Sequence, residues 1–186
     1  GTSLSGFTDP LPQARTALGV GAGTSDVSGG KSGGNKTSAF GYKALNLNTT
    51  GLFNSAFGAY ALSNNTIGIY NNAFGHYALL GNTTVASNSA FGRGSLQANT
   101  IGQRNSAFGT YSMFANTIGN YNSAFGFHAL RYNTTGISNS AFGYGSLKTN
   151  TIGNGNSAFG RGSLQSNTTG SNNTALGLAA LYSNIS

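Results

Sequence analysis

His76 and His128 are the side chains in this sequence best suited to acid–base or metal chemistry, and no partner stands near either of them. There is no Cys, and the two carboxylates, Asp9 and Asp26, both fall in the N-terminal part of the chain. Paired-carboxylate catalysis therefore has little to work with, and thiolate metal sites are excluded. A Ser or Thr nucleophile needs a base within hydrogen-bond reach, and the many Ser and Thr here have none beside them in sequence. Gly19-Val20-Gly21 is a weak GxG signal, because neither a βαβ pattern nor an acidic partner follows it. Neither enzymatic activity nor a metal or other cofactor is expected.

What surrounds the two histidines is a repeat. The aromatic of an "AFG" triplet falls at Phe40, Phe57, Phe74, Phe91, Phe108, Phe125, Phe142 and Phe159, every 17 residues, with Leu176 completing the series. The unit reads N-S-A-F-G-x-x-A/S-L-x-x-N-T-T/I-G-x-x, and nine copies fill residues 37–186. A degenerate copy, "TALGVGAG" at 16–23, lies five residues out of phase. Leu recurs at Leu45, Leu62, Leu79, Leu96, Leu130, Leu147 and Leu164, with Met113 taking one slot. An Asn recurs at Asn48, Asn65, Asn82, Asn99, Asn116, Asn133, Asn150 and Asn167. The Gly after the aromatic never varies, whereas the second Gly gives way once, to Val85.

Seventeen residues is too short for a helix–turn–helix unit, and two Gly per unit would each weaken a helix by about 1 kcal/mol. Regular Gly marks turns between short strands. The expected fold is all-β: a parallel β-solenoid of nine 17-residue coils plus the degenerate N-terminal coil. Stacking would lay identical residues in ladders about 4.8 Å apart. Phe, Leu and the Thr/Ile of the N-T-T/I-G run (Thr50, Ile67 and equivalents) are expected to fill a narrow core. The Asn file is expected to bond along the stack as amide ladders do. Strand alternation then puts the Ala before each Phe and the Ala or Ser before each Leu outward, as a flat face of small residues for lateral packing. Residues 1–36 form an irregular, Gly-rich segment expected to cap the rod, dock on another subunit or link to it. The last coil carries no cap, so end-to-end stacking is also expected.

Charged residues make up 6% of the chain, against roughly 25% in ordinary globular domains. The net charge of +7 comes from scattered bases with no Lys/Arg run, so a nucleic-acid groove is not expected. No apolar stretch approaches the ~20 residues of a membrane span. His76 and His128, three coils or roughly 14 Å apart along a solenoid, could not share a metal. They stand in slots that elsewhere hold Tyr. Those variable slots supply the candidate contact residues Tyr42, Tyr60, Tyr77, Arg93, Tyr111, Tyr144 and Arg161, suited to a surface glycan or protein receptor. N-x-S/T sequons at Asn35, Asn48, Asn64, Asn82, Asn133, Asn167, Asn172 and Asn184 follow from the repeat wording.

The stretches "NTTGSN" and "NTALGLAALYSN", residues 167–184, resemble the NTALGYxAL repeats of phage and virus tail-fibre-like proteins. More loosely, "NSAFGxxAL" is similar to the repeat in the β-roll heads of trimeric autotransporter adhesins. It departs from that repeat in Phe for Ile and a longer unit, and neither a coiled-coil stalk nor a membrane anchor is expected within residues 1–186. The resemblance implies a trimeric surface or appendage fibre. The functional expectation is thus a structural subunit of an extracellular fibre, associating sideways, end to end, or both, with adhesion through its variable positions. The alternative is an ice-binding or carbohydrate-binding solenoid.

Overall fold

The computed structural model describes residues 16–23 and 37–185. The roles considered above for residues 1–15 and 24–36 lie outside the described residues, as do Asp9, Asp26 and the sequon at Asn35. Ten three-residue strands occur in chain order: β1 (Thr16–Leu18), β2 (Ser38–Phe40), β3 (Ser55–Phe57), β4 (Asn72–Phe74), β5 (Ser89–Phe91), β6 (Ser106–Phe108), β7 (Ser123–Phe125), β8 (Ser140–Phe142), β9 (Ser157–Phe159) and β10 (Thr174–Leu176). Each pairs in parallel with the next in a single ten-stranded sheet. From β2 to β9 equivalent positions face each other, like on like except at Asn72: Ser38 on Ser55, Ala39 on Ala56, Phe40 on Phe57. The chain is an all-β parallel β-solenoid. The out-of-phase copy joins it, because Thr16 pairs with Ser38 and Leu18 with Phe40.

Gly ends each strand for two reasons. Gly41 sits at φ +123°, and a Cβ there would lie 2.7 Å from the Gly58 carbonyl carbon of the next coil. Neither the conformation nor the stacking admits a side chain. Two reverse turns follow, each closed by a backbone bond, as in Ala61 N–H to the Gly58 carbonyl (3.2 Å) and Asn65 N–H to the Leu62 carbonyl (3.1 Å). Around the turns each coil also bonds to both neighbours. The Tyr60 N–H donates back to the Tyr42 carbonyl (2.8 Å), and the Leu62 N–H donates forward to the Ala78 carbonyl (3.0 Å).

The core differs from the expectation built on strand alternation. Leu45, Leu62, Leu79, Leu96, Met113, Leu130, Leu147 and Leu164 are buried, but so is every Ala before a Phe from Ala39 to Ala158, and Ala175 before Leu176. The Phe rings point outward and are half-exposed, reaching 36% at Phe125 and 40% at Phe159. Phe40, Phe57, Phe74, Phe91, Phe108, Phe125, Phe142 and Phe159 are therefore not core residues, and the file of small residues faces in, not out. The Ala or Ser before each of the core Leu residues and Met113 is buried as well.

The reason lies in the turn. Alternation holds only along extended backbone, and between Phe57 and Leu62 the chain passes through left-handed positions at Tyr60 (φ 59°) and Leu62 (φ 49°). Parity cannot be counted across them, so Ala61 and Leu62, though adjacent, both face inward. With Leu and two Asn per coil already in a close-packed lumen, the strand contributes only a methyl. Ser fits where Ala is replaced because its hydroxyl bonds within its own turn, as Ser95 Oγ does to the Gly92 carbonyl (2.9 Å). The Thr/Ile slot is also outside: Ile67 and Ile101 are exposed.

Candidate functional site

Two amide files run through the lumen. In the first, Asn65 Nδ2 donates to Asn48 Oδ1 (2.8 Å) and to the Gly68 carbonyl (3.1 Å), and the pattern repeats along the rod. The second, Asn54, Asn71, Asn88, Asn105, Asn122, Asn139 and Asn156, is equally buried. There Asn105 Nδ2 bonds the Gly119 carbonyl (2.8 Å), while Asn88 Oδ1 receives the Asn105 backbone N–H (3.0 Å). Sequence reading passed over this second file, although the Asn opening each N-S-A-F-G unit was in plain view. Buried amides with satisfied donors and acceptors hold register. They also leave the sequons at Asn48, Asn82, Asn133 and Asn167 inaccessible in the folded chain, whereas Asn64 and Asn172 are exposed.

Three outward surfaces remain. The first is the sheet face. Its eight Phe rings stack at centroid separations of 4.6–4.9 Å with interplanar angles of 4–11°, flanked by a file of half-buried Ser. The second follows the Asn-Thr corner. The Thr66 hydroxyl donates to the Thr83 carbonyl of the next coil (3.1 Å), and its equivalents do likewise. The exposed file beside it alternates Thr50, Ile67, Thr84, Ile101, Ile118, Thr135, Ile152 and Thr169.

The third surface is the turn that follows the Phe file, and it gathers the candidate contact residues. Tyr42, Arg93, Tyr144 and Arg161 are exposed, while Tyr60, Tyr77 and Tyr111 are half-buried. Tyr42 meets Tyr60 edge-on at 5.2 Å, Tyr60 meets Tyr77 at 5.3 Å, and Lys43 Nζ lies 5.4 Å from the Tyr42 ring. Desolvation, followed by the Tyr42 hydrogen bond, pushes the Tyr60 phenol pKa up. Further along, the Arg93 guanidinium lies over Tyr111 (5.7 Å) and that of Arg161 over Tyr144 (5.4 Å).

Between these groups lies a cluster that sequence reading did not assemble. Arg131 packs over Tyr111 (5.4 Å), Phe114 (5.8 Å) and Tyr132 (5.1 Å), and its Nη1 lies 2.9 Å from His128 Nε2. Its Nε is buried and has no hydrogen-bond partner. Desolvation first, then the charges of Arg131 and Lys148, lower the His128 pKa, which keeps the ring neutral and able to accept from the guanidinium. Arg131, Lys148 and Phe114 stand just after the core Leu, a slot whose partners become visible only when coils are stacked. His76 packs on its neighbour Tyr77 (3.8 Å), far from His128. Among the described residues no three His, Cys, Asp or Glu come together as a metal site, and no helix is long and apolar enough to cross a membrane.

No protein-family model, curated protein or solved structure matches this chain.

Proposed function

We propose that this protein is a structural, non-catalytic subunit of an extracellular fibre, and that the Phe file is its lateral seam. One observation carries the reading: eight stacked aromatic rings stand half-exposed on a flat sheet face along the solenoid. A contiguous apolar strip of this kind on a regular surface marks a site of association. Its repeat is the coil spacing itself, so a second copy offers the same periodicity and the exposed ring edges of the two files can pack against each other along the length. The tail-fibre-like wording of the repeat supports the same assignment.

Sedimentation velocity and negative-stain electron microscopy across a concentration series test the proposal. The expected result is laterally associated rods or filaments, and replacement of Phe91 and Phe125 by Ser should shift the population toward single rods without loss of the β signal. A wild-type chain that stays monomeric at high concentration would overturn the reading.

A further inference from the structure

We infer that the turn face carrying Arg93, Arg131 and Arg161 is a binding surface for an anionic polysaccharide, one bearing carboxylate or sulfate groups on a hydroxyl-rich chain. This goes beyond the fibre proposal and does not depend on it, since a single rod carries the whole face.

Charge placement is the first support. The described residues include six cationic side chains, Lys43, Arg93, Arg104, Arg131, Lys148 and Arg161, and no carboxylate side chain. Five of the six lie on this turn face, and Arg104 alone lies elsewhere, stacked on Tyr121 (5.3 Å) in the column that precedes the strand. No carboxylate in the described structure neutralises the face, and low-dielectric walls of packed aromatic rings strengthen the field above it.

Spacing and ring geometry select the polyanion. Lys43 and Arg161 are seven coil steps apart, so five cations spread over about 34 Å of rod at the strand spacing. Duplex DNA carries a charge every ~1.7 Å of axis, far denser than this face can match, whereas a polyuronate carries a single charge on each sugar, and heparin in the test below marks the dense extreme. A single nucleic-acid strand would need open ring faces on which to stack bases. Here the rings already have partners: Arg131 lies over Tyr111 and Tyr132, Arg161 over Tyr144, and Tyr144 stacks on Phe127 at 5.4 Å. What these residues offer instead is ring edges, phenol hydroxyls and guanidinium N–H groups, the donors and acceptors that sugar hydroxyls and carboxylate or sulfate oxygens require.

The test uses the full chain and four immobilised probes at low and high salt: polygalacturonate, heparin, neutral dextran and a single-stranded oligo(dT). Binding to polygalacturonate or heparin that weakens with salt is expected. Arg93→Ala and Arg161→Ala remove exposed side chains and leave the ladders intact; together they should weaken binding about tenfold or more, a loss of roughly 1.4 kcal/mol per decade. Arg104→Ala, which also removes one charge, should change it less than twofold. On the unaltered chain, the bound polysaccharide should protect Lys43 and Lys148 from amine-reactive labelling. The inference is overturned if neither polysaccharide binds at low salt, if dextran binds as well as they do, if oligo(dT) binds more tightly, if Arg104→Ala weakens binding as much as Arg161→Ala, or if neither lysine is protected.

Discussion

At the scale of single residues, the fold accepts local strain for the sake of stacking. The core Leu of every coil sits in the left-handed region, with φ between 46° and 52° including Met113. That conformation costs an L-residue about 1–2 kcal/mol, and burying a Leu returns about 1.5–3 kcal/mol, so the position persists because its side chain fills the lumen. Val85 shows the opposite case. It occupies the slot where a Cβ at Gly68 would overlap Asn65 Oδ1 and the Val85 carbonyl. Around it the Asn99-to-Asn82 bond stretches to 3.3 Å, against 2.8 Å for Asn116 to Asn99. The Thr83 N–H and hydroxyl also lack the forward bonds that their equivalents at Thr66 make. Amide exchange at Thr83 should therefore be faster than at Thr66 or Thr117, and Val85→Gly should restore its protection; equal exchange at all three would refute this. At His128 the depressed pKa means that the folded state disfavours the proton. Stability is fully present above the ordinary His pKa of about 6.5 and declines as pH falls below it, because the unfolded chain takes up the proton first. Melting temperatures at pH 7.5 and 5 should show this drop. His128→Asn, which tolerates the left-handed backbone, should flatten it.

At the scale of the element, a coil is a three-residue strand followed by two turns, and its two aromatic-or-aliphatic ladders do different jobs. Leu96 is fully buried, while Phe108 lies stacked but half-exposed. Leu96→Ala opens a cavity in the lumen and should cost about 2–5 kcal/mol. Phe108→Ala leaves solvent where a ring was and should cost roughly 1 kcal/mol, its exposed half contributing nothing to folding. Chemical denaturation of the two variants as single rods distinguishes them, and a larger loss for Phe108→Ala would contradict the burial assignment. Legibility divides along the same line. The period, the Leu file and the first Asn file could be read from spacing. The direction of Phe and Ala could not, because the left-handed residues between Phe and Leu break the alternation on which that inference relied.

At the scale of the molecule, the described strands β2 to β10 contact only their sequential neighbours, so stability accumulates coil by coil. Removing residues 105–121, one whole period, joins Arg104 to Asn122 and preserves every ladder. That chain should fold and melt cooperatively, whereas removal of residues 105–120 shifts all later coils by one residue and should disrupt pairing at the junction. Circular dichroism and thermal unfolding compare the two, and equal behaviour would mean that register is not set by the ladders. The same repetition gives the rod its separate long surfaces: the Phe strip proposed for self-association, the Thr/Ile corner, and the cationic aromatic turn proposed for a polyanion.

By itself the sequence determined the architecture. A strict 17-residue period with Gly at fixed places leaves parallel stacking of like on like as the arrangement that satisfies the backbone. It also exposed which slots vary, and so which residues, among them Tyr42, Arg93 and Arg161, face outward. Only the tertiary structure decided what the invariant slots do. Inside and outside depend on the turn dihedrals, which put Ala beneath and Phe above the sheet, turned a second Asn file into the lumen, and brought Phe114, His128 and Arg131 from neighbouring coils into one cluster. Spacing along the chain fixes which residues stack, but the direction of each side chain is set by left-handed turns; Gly94, Gly145 and Gly162 mark one of the two left-handed slots, and the core Leu slot carries no glycine to announce it.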